Sequence, residues 1–307
     1  MPAGNTRAPY AGVFGTGVLI TCMVTLNGEL ARITGQAASL LFIHASGLIG
    51  ISILIILRGS HLRRPSSVPA PWHLYTGGLL GVIMIFGNNL CFLTLGVSVT
   101  LAAGVMGQLL GSLLIDTIGL LGMKRYPQAP LRLAGLAVAC IGLAVMVDSW
   151  AVDYRFVVLA VAVGVLTILQ MTVNARLASH IGLLKGVRVN YIGGIIGSAS
   201  ACLLMGACGS ISLSLISSVP LHLMVGGGLL GVAIVASINF LLPRIPTVYS
   251  SLLIFLGQII SAVMIDRMLL GIFSYQRVYG IILIGAGIML SLTADRMSSR
   301  RAQADLP

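Results

Sequence analysis

The sequence predicts an all-α polytopic membrane protein: ten transmembrane helices arranged as two inverted five-helix repeats. Three observations predict it. The 307-residue chain is 57% hydrophobic and 8% charged, with a mean hydropathy of +1.05, whereas a soluble domain carries about 25% charged residues. Its apolar residues form runs of about 20, the length that crosses roughly 30 Å of hydrocarbon. The second half also restates motifs of the first at nearly constant offset.

Taken in order, the expected spans are 11–33, 37–57, 73–95, 98–121, 131–148, 155–177, 186–208, 221–242, 246–268 and 277–293. The first is too long, and too weakly basic at its front, for a cleaved signal peptide. Trp72 and Trp150 fall at span ends, where interfacial aromatics belong. Pro127 and Pro130 mark a turn after the fourth span, and Pro243 and Pro246 a tight turn between the eighth and ninth. The 38 glycines sit inside the apolar runs, where they favour close helix packing over disorder. Four pairs are spaced Gly-x-x-x-Gly: Gly77/Gly81, Gly107/Gly111, Gly193/Gly197 and Gly227/Gly231. Cys22, Cys91, Cys140, Cys202 and Cys208 all lie in apolar spans without a Cys-x-x-Cys, so they read as packing residues with no disulfide or metal role.

A net charge of +11 does not point to nucleic acid, because the basic residues lie between spans and act as topology signals. Fourteen of the 18 Lys and Arg fall on one side of the membrane, among them Arg58, Arg63, Arg64, Lys124, Arg125, Lys185 and Arg188. The other side receives Arg32, Arg155, Arg267 and Arg277. The bias places the first side, and both termini, in the cytoplasm.

Residues 1–150 read as the first repeat and 151–307 as the second. Asn27-x-x-Leu-Ala-x-x-x-Gly35 returns as Asn174-x-x-Leu-Ala-x-x-x-Gly182, and Gly47-x-x-Gly50 as Gly194-x-x-Gly197, both 147 residues on. Gly77-Gly-Leu-Leu-Gly81 returns as Gly227-Gly-Leu-Leu-Gly231, and Gly107-Gln…Asp116 as Gly257-Gln…Asp266, both 150 residues on. Arg132-x-x-Gly135 is echoed by Arg277-x-x-Gly280. Five spans per repeat is an odd number, so the halves must point in opposite directions, a transporter architecture with its site near the midplane.

These motifs, from Gly12 to Leu292, resemble the YdcZ-type inner-membrane exporters of the drug/metabolite transporter superfamily (EamA-like), with two five-helix units fused head to tail. The resemblance implies a carrier of the bacterial cytoplasmic membrane that works by alternating access, with export as the favoured direction. It also implies that the fifth and tenth spans are peripheral to a site lined by the first, third, fourth, sixth, eighth and ninth. It implies no substrate.

Polar groups deep in lipid are costly and mark functional positions by default. Four repeated pairs stand out: Asn27/Asn174, Asn89/Asn239, Gln108/Gln258 and Asp116/Asp266. The glutamines lie within about 3 Å of the centres of their spans, and their amides can both donate to and accept from a polar solute. The plainer reading of Gln108 and Gln258 is an interhelical hydrogen bond. Gln170 precedes Asn174 by four on the same helical face, whereas Met23 stands at its counterpart. That asymmetry suits a solute without two-fold symmetry. The plainer reading of Asn27 and Asn174 is that they hold backbone at the Gly35 and Gly182 turns. Asp116, Asp266 and Glu29 are the gating or proton-coupling candidates. Asp266, next to Arg267, reads as a solvated interfacial pair, and Glu29 replaces the Arg176 of the other half. His44, whose two-fold counterpart is Tyr191, reads as a packed polar core residue more than a proton relay.

The function expected is secondary or facilitative transport of a small organic metabolite or drug-like solute. The alternative is an intramembrane enzyme or lipid-handling protein, which would need a convergent acid, base or nucleophile set. None is visible, nor is a nucleotide-binding loop. No cofactor is expected. The expected partners are a small-molecule substrate and the bilayer, with no nucleic acid. A homodimer is compatible with the chain, although a chain carrying both halves does not need one.

Overall fold

The computed structural model describes residues 7–58, 69–119, 130–147, 153–207, 217–241, 247–271 and 274–304. Trp150, Cys208, Pro127, Arg63, Arg64, Lys124, Arg125 and the Pro243–Pro246 turn lie outside the described residues, as do the side chains of Asp116 and Asn239.

Among the described residues the chain is helical and carries no strand. The elements in order are α1 (Arg7–Thr34), α2 (Gln36–Arg58), a 3-10 turn (Trp72–Thr76) and α3 (Gly77–Ile118). They continue with α4 (Pro130–Met146), α5 (Tyr154–Ile181), α6 (Leu183–Leu204), α7 (Leu221–Leu241), α8 (Thr247–Leu270) and α9 (Tyr275–Ala304). Seven stretches among the described residues are long and apolar enough to cross a membrane, and Pro130–Met146 and Tyr275–Ser291 are shorter apolar helices.

The apolar stretch Trp72–Ile115 is 44 residues long, about twice the roughly 20 that one crossing needs. It breaks at Gly96, whose φ of 78° and ψ of −179° are not helical. The third and fourth expected spans are therefore the two segments of α3 on either side of this glycine. Single glycines make the other tight connections. Gly35, between α1 and α2, has φ 79°, and Gly182, between α5 and α6, has φ 91°. Only glycine adopts such angles without a Cβ penalty, which accounts for the repeated motif ending at these two positions. α9 runs beyond the expected end at 293 to Ala304, through Ala, Arg, Met and Gln, all good helix formers.

By contacts the chain forms two compact units that do not follow the repeat boundary near residue 150. One is Met1–Thr21, Leu95–Val165 and Ala236–Pro307; the other is Cys22–Thr94 and Leu166–Val235. Each draws on both repeats.

In the first unit α4 packs along α9. A Cβ on Gly142 would stand 2.7 Å from the Gly280 carbonyl, and one on Gly287 2.8 Å from the Ala139 Cβ. Gly135 meets Gly287 and Ser291 in the same way, and Ser291 Oγ donates to the Arg132 carbonyl at 3.3 Å. The start of α1 lies against α8, where Gly17 meets the backbone of Ile254, Gly257 and Gln258. Thr21 Oγ1 donates across that contact to the Gln258 carbonyl at 2.8 Å. The start of α5 meets α3 through Gly164 on Gly104 and Gly107. Close backbone approach of this kind drives helix association in lipid, where no hydrophobic force between helices exists.

In the second unit α2 packs against α6. Tyr191 fills the space over Gly47, and His44 the space over Gly194. Apolar clusters flank this contact: Leu30, Ile43, Val219 and Leu223 form one, and Ile51, Leu184 and Val232 another. Gly78 lies on the α6 backbone at Asn190–Gly194, and Gly228 on the α2 backbone at Ile43–Gly47.

Candidate functional site

The second unit gathers most of the predicted amides. Gln170 on α5 is 8% exposed and donates Nε2 to the Gly77 carbonyl at the start of α3, at 3.0 Å. Asn174, one turn on, lays its Oδ1 on the α-carbon side of Gly77. Asn190 on α6 reaches the same glycine, its Oδ1 3.2 Å from where a Cβ would be. Sequence reasoning passed over Asn190, because Ile43 stands at its counterpart and no repeated pair flagged it. Across the repeat, Asn27 is 5% exposed and lays its Oδ1 on Gly227 in the same way.

These contacts correct one expectation. Asn27 and Asn174 do not serve the Gly35 and Gly182 turns but pack on glycines of other helices, Gly227 in α7 and Gly77 in α3. A glycine Cα–H faces an amide oxygen favourably, so the partner of each asparagine is the first glycine of a Gly-x-x-x-Gly pair. The Oδ1 atoms of Asn27, Asn174 and Asn190 are buried without a hydrogen-bond donor. Each such acceptor costs about 1–3 kcal/mol. Gln36, at the start of α2, has both amide atoms buried and unpartnered; it lay outside the repeated pairs and was not predicted.

Asn89 is 1% exposed and sits 3.5 Å from Ser39 Oγ through its Nδ2, a long contact at the limit of a hydrogen bond. Glu29 is tied to Arg32 one turn later, at 2.7 Å. His44 Nδ1 lies 2.8 Å from the Leu40 carbonyl and 3.0 Å from Ser198 Oγ, with its ring edge-on to Tyr191. Tyr191 donates its hydroxyl to the Gly228 carbonyl at 3.2 Å. The packed-core reading of His44 describes this geometry.

The first unit holds the glutamines and Asp266. Gln258 is 7% exposed and Gln108 half-buried. Each follows a glycine in tight contact, Gly257 on Gly17 and Gly107 on Gly164, so a close helix–helix contact places each. Asp266 corrects a second expectation: it is 1% exposed, so it is no solvated pair with Arg267. Its carboxylate accepts the backbone N–H groups of Val97 and Ser98 at 2.8 and 3.0 Å, and the Ser98 hydroxyl. Arg277 Nη1 completes the set at 3.1 Å. The break at Gly96 creates this arrangement, because it frees the first N–H groups of the following segment for a carboxylate cap. Outside the spans, the Arg155 side chain hydrogen-bonds Asp153 and holds its carboxyl below the usual range.

Among the described residues, long apolar helices pinned at paired glycines and carrying buried amides fit a membrane protein of the transporter class. The chain belongs to the family described as "Putative inner membrane exporter, YdcZ", whose model matches it twice, over residues 9–145 and 155–290. It is thus a multi-pass protein of the inner membrane, built from two copies of the family unit. A protein of known crystal structure is similar over 95% of this chain and 98% of its own, with a TM-score of 0.58 and 16% identity; at that identity the likeness concerns the fold. No match to the sequence was found among curated proteins.

Proposed function

We propose that the protein is a secondary or facilitative carrier that exports a small organic solute across the cytoplasmic membrane by alternating access. In this reading it crosses ten times, with α3 crossing twice and α4 and α9 once each, and the two family units lie in opposite orientations with both termini cytoplasmic. Gln108, Gln258, Gln170, Asn27, Asn174, Asn89 and Asn239 are the polar groups offered to the solute. Asp116, Asp266 and Glu29 hold or gate helices.

The observation that carries the reading is the exchange of partners between repeats. α1 of the first copy packs at Gly17 on Gly257 of the second, and α5 of the second packs at Gly164 on Gly107 of the first. Asn27 on Gly227 and Asn174 on Gly77 repeat the pattern, as do Gly142 on Gly280 and Gly135 on Gly287. Helices bound through small residues approach closely and can slide. Inverted repeats that rock against each other produce alternating access.

Counterflow tests it. Proteoliposomes loaded with unlabelled solute from a panel of amines, amides, polyols, nucleosides and carboxylates are given trace labelled solute outside. A carrier accumulates label transiently, and Gln108→Ala/Gln258→Ala lowers its rate at least tenfold. Simple equilibration points to a channel, chemical change of the solute to an enzyme, and no accelerated exchange for any solute sinks the proposal.

A further inference from the structure

We propose that α6 holds an anionic phospholipid on its exposed face, with the phosphate at Lys185 and Arg188 and an acyl chain along Ile192 and Ile196. The unit built from Cys22–Thr94 and Leu166–Val235 contains seven Lys and Arg and a single carboxylate, Glu29. Glu29 is already tied to Arg32 at 2.7 Å. Lys185 and Arg188 are both exposed, and neither forms an ion pair among the described residues. No carboxylate of the same unit is left for them.

Their position on the helix points to the kind of anion that fits. Residues 185, 188, 192, 196 and 203 fall within about 80° of one another around α6, and Ile192, Ile196 and Leu203 are exposed like the two cations. Two other faces of α6 are covered. Tyr191, Gly194 and Ser198 meet α2 at Gly47 and His44, and Asn190, Gly194 and Gly197 meet α3 at Gly78, Leu79 and Val82. The uncovered stripe thus starts with two cations and continues with apolar side chains. Lys185 and Arg188, three residues apart, are neighbours on the helix surface, close enough to share one phosphate. From Lys185 to Ile196 the helix rises about 16 Å, half of the roughly 30 Å hydrocarbon core. A free anion would use only the charged end, whereas a phospholipid uses the whole stripe.

The depth agrees. The 3-10 turn packs against α6, and its Trp72 and Tyr75 are exposed, aromatic groups of the kind that settle at headgroup level. The repeat shows that packing does not demand the charges: 147 residues earlier the same positions are Ala38 and Leu41, and Ala38 is buried. Membrane insertion calls for basic residues beside a span, but not for two on one stripe inside the helix, in line with its exposed isoleucines.

Lipid titration of the detergent-purified full chain tests the site. Melting temperature is followed with dioleoyl phosphatidylglycerol, with the matched phosphatidylcholine and, as a phosphate without chains, with glycerol phosphate. A ligand bound only to the folded state raises it by mass action. Phosphatidylglycerol should stabilise the wild type well beyond phosphatidylcholine, and glycerol phosphate should not. Lys185→Gln/Arg188→Gln should melt with the lipid-free wild type, since both side chains are exposed. Its affinity for phosphatidylglycerol should fall about 25-fold, each basic group near an anionic surface contributing about fivefold. Lys185→Ala, which installs the side chain of residue 38, should lose about fivefold and reads the site should the double variant not fold. Arg155→Gln removes a cation that already has Asp153 at 2.8 Å, and should keep the wild-type affinity. Unchanged affinity in Lys185→Ala and the double variant overturns the site, as does an equal loss in Arg155→Gln. Equal stabilisation by phosphatidylcholine, or by glycerol phosphate, overturns the anionic lipid as its occupant. None of these readouts requires transport, so the carrier reading stands or falls separately.

Discussion

Asp266 shows how one side chain acquires a role that its neighbours in sequence do not reveal. A carboxylate at 1% exposure survives in an apolar bundle because two backbone N–H groups, a hydroxyl and a guanidinium all face it. Removing one partner of a buried pair leaves an uncompensated charge and costs about 3–5 kcal/mol. Asp266→Asn is therefore expected to lower the melting temperature sharply, and Asp266→Asn/Arg277→Gln to recover part of the loss. Thermal unfolding of the three proteins measures the coupling, and strictly additive losses would show that the pair does not interact. Gly96 sits at the same junction. With φ at 78° and ψ at −179°, a region essentially confined to glycine, Gly96→Ala should cost roughly 1–3 kcal/mol, read in the same experiment.

Between elements, small residues decide which helices meet. α4 and α9 touch at Gly135, Ala139 and Gly142 on one side and at Gly280, Ile284 and Gly287 on the other. Gly142→Leu has no room at the Gly280 carbonyl and is expected to separate the two helices. Thermal unfolding of the purified protein checks it: Gly142→Leu should lower the melting temperature, and an unchanged value would show that the two helices do not depend on this contact. Gly15 and Gly104 make the contrast, since a Cβ on either meets nothing within 4 Å. Ala at either position should be neutral or stabilising by up to about 1 kcal/mol, and a large loss there would mean that glycine serves some purpose other than space.

For the whole molecule, the proposed opposed orientation of the two family units makes a topological prediction. A reporter enzyme fused after Pro307, and another placed after Lys185, should both report the cytoplasmic side, while one placed after Arg155 should report the outside. Opposite signals from the first two would break the ten-crossing arrangement.

The sequence by itself determined the class, the family and the repeat. Hydropathy sets a membrane protein because apolar runs of that length have no soluble home. The Asn-x-x-Leu-Ala-x-x-x-Gly and Gly-Gly-Leu-Leu-Gly motifs carry the family because their glycines are demanded by backbone angle at Gly35 and Gly182 and by space at Gly77 and Gly227. Repetition also flagged Asn27, Asn174, Gln108, Gln258 and Asp266 as polar groups at depth. Only the tertiary structure decided what each of the described ones touches, since a partner such as Val97, 169 residues from Asp266, leaves no local trace. Asn174 meets Gly77, Asp266 meets the turn at Gly96, and α1 meets α8 of the other repeat as well as α3 of its own. Asn190 was invisible for the opposite reason: its polarity is not repeated. Its meaning comes from the two amides of α5 and the glycine of α3 that folding sets around it.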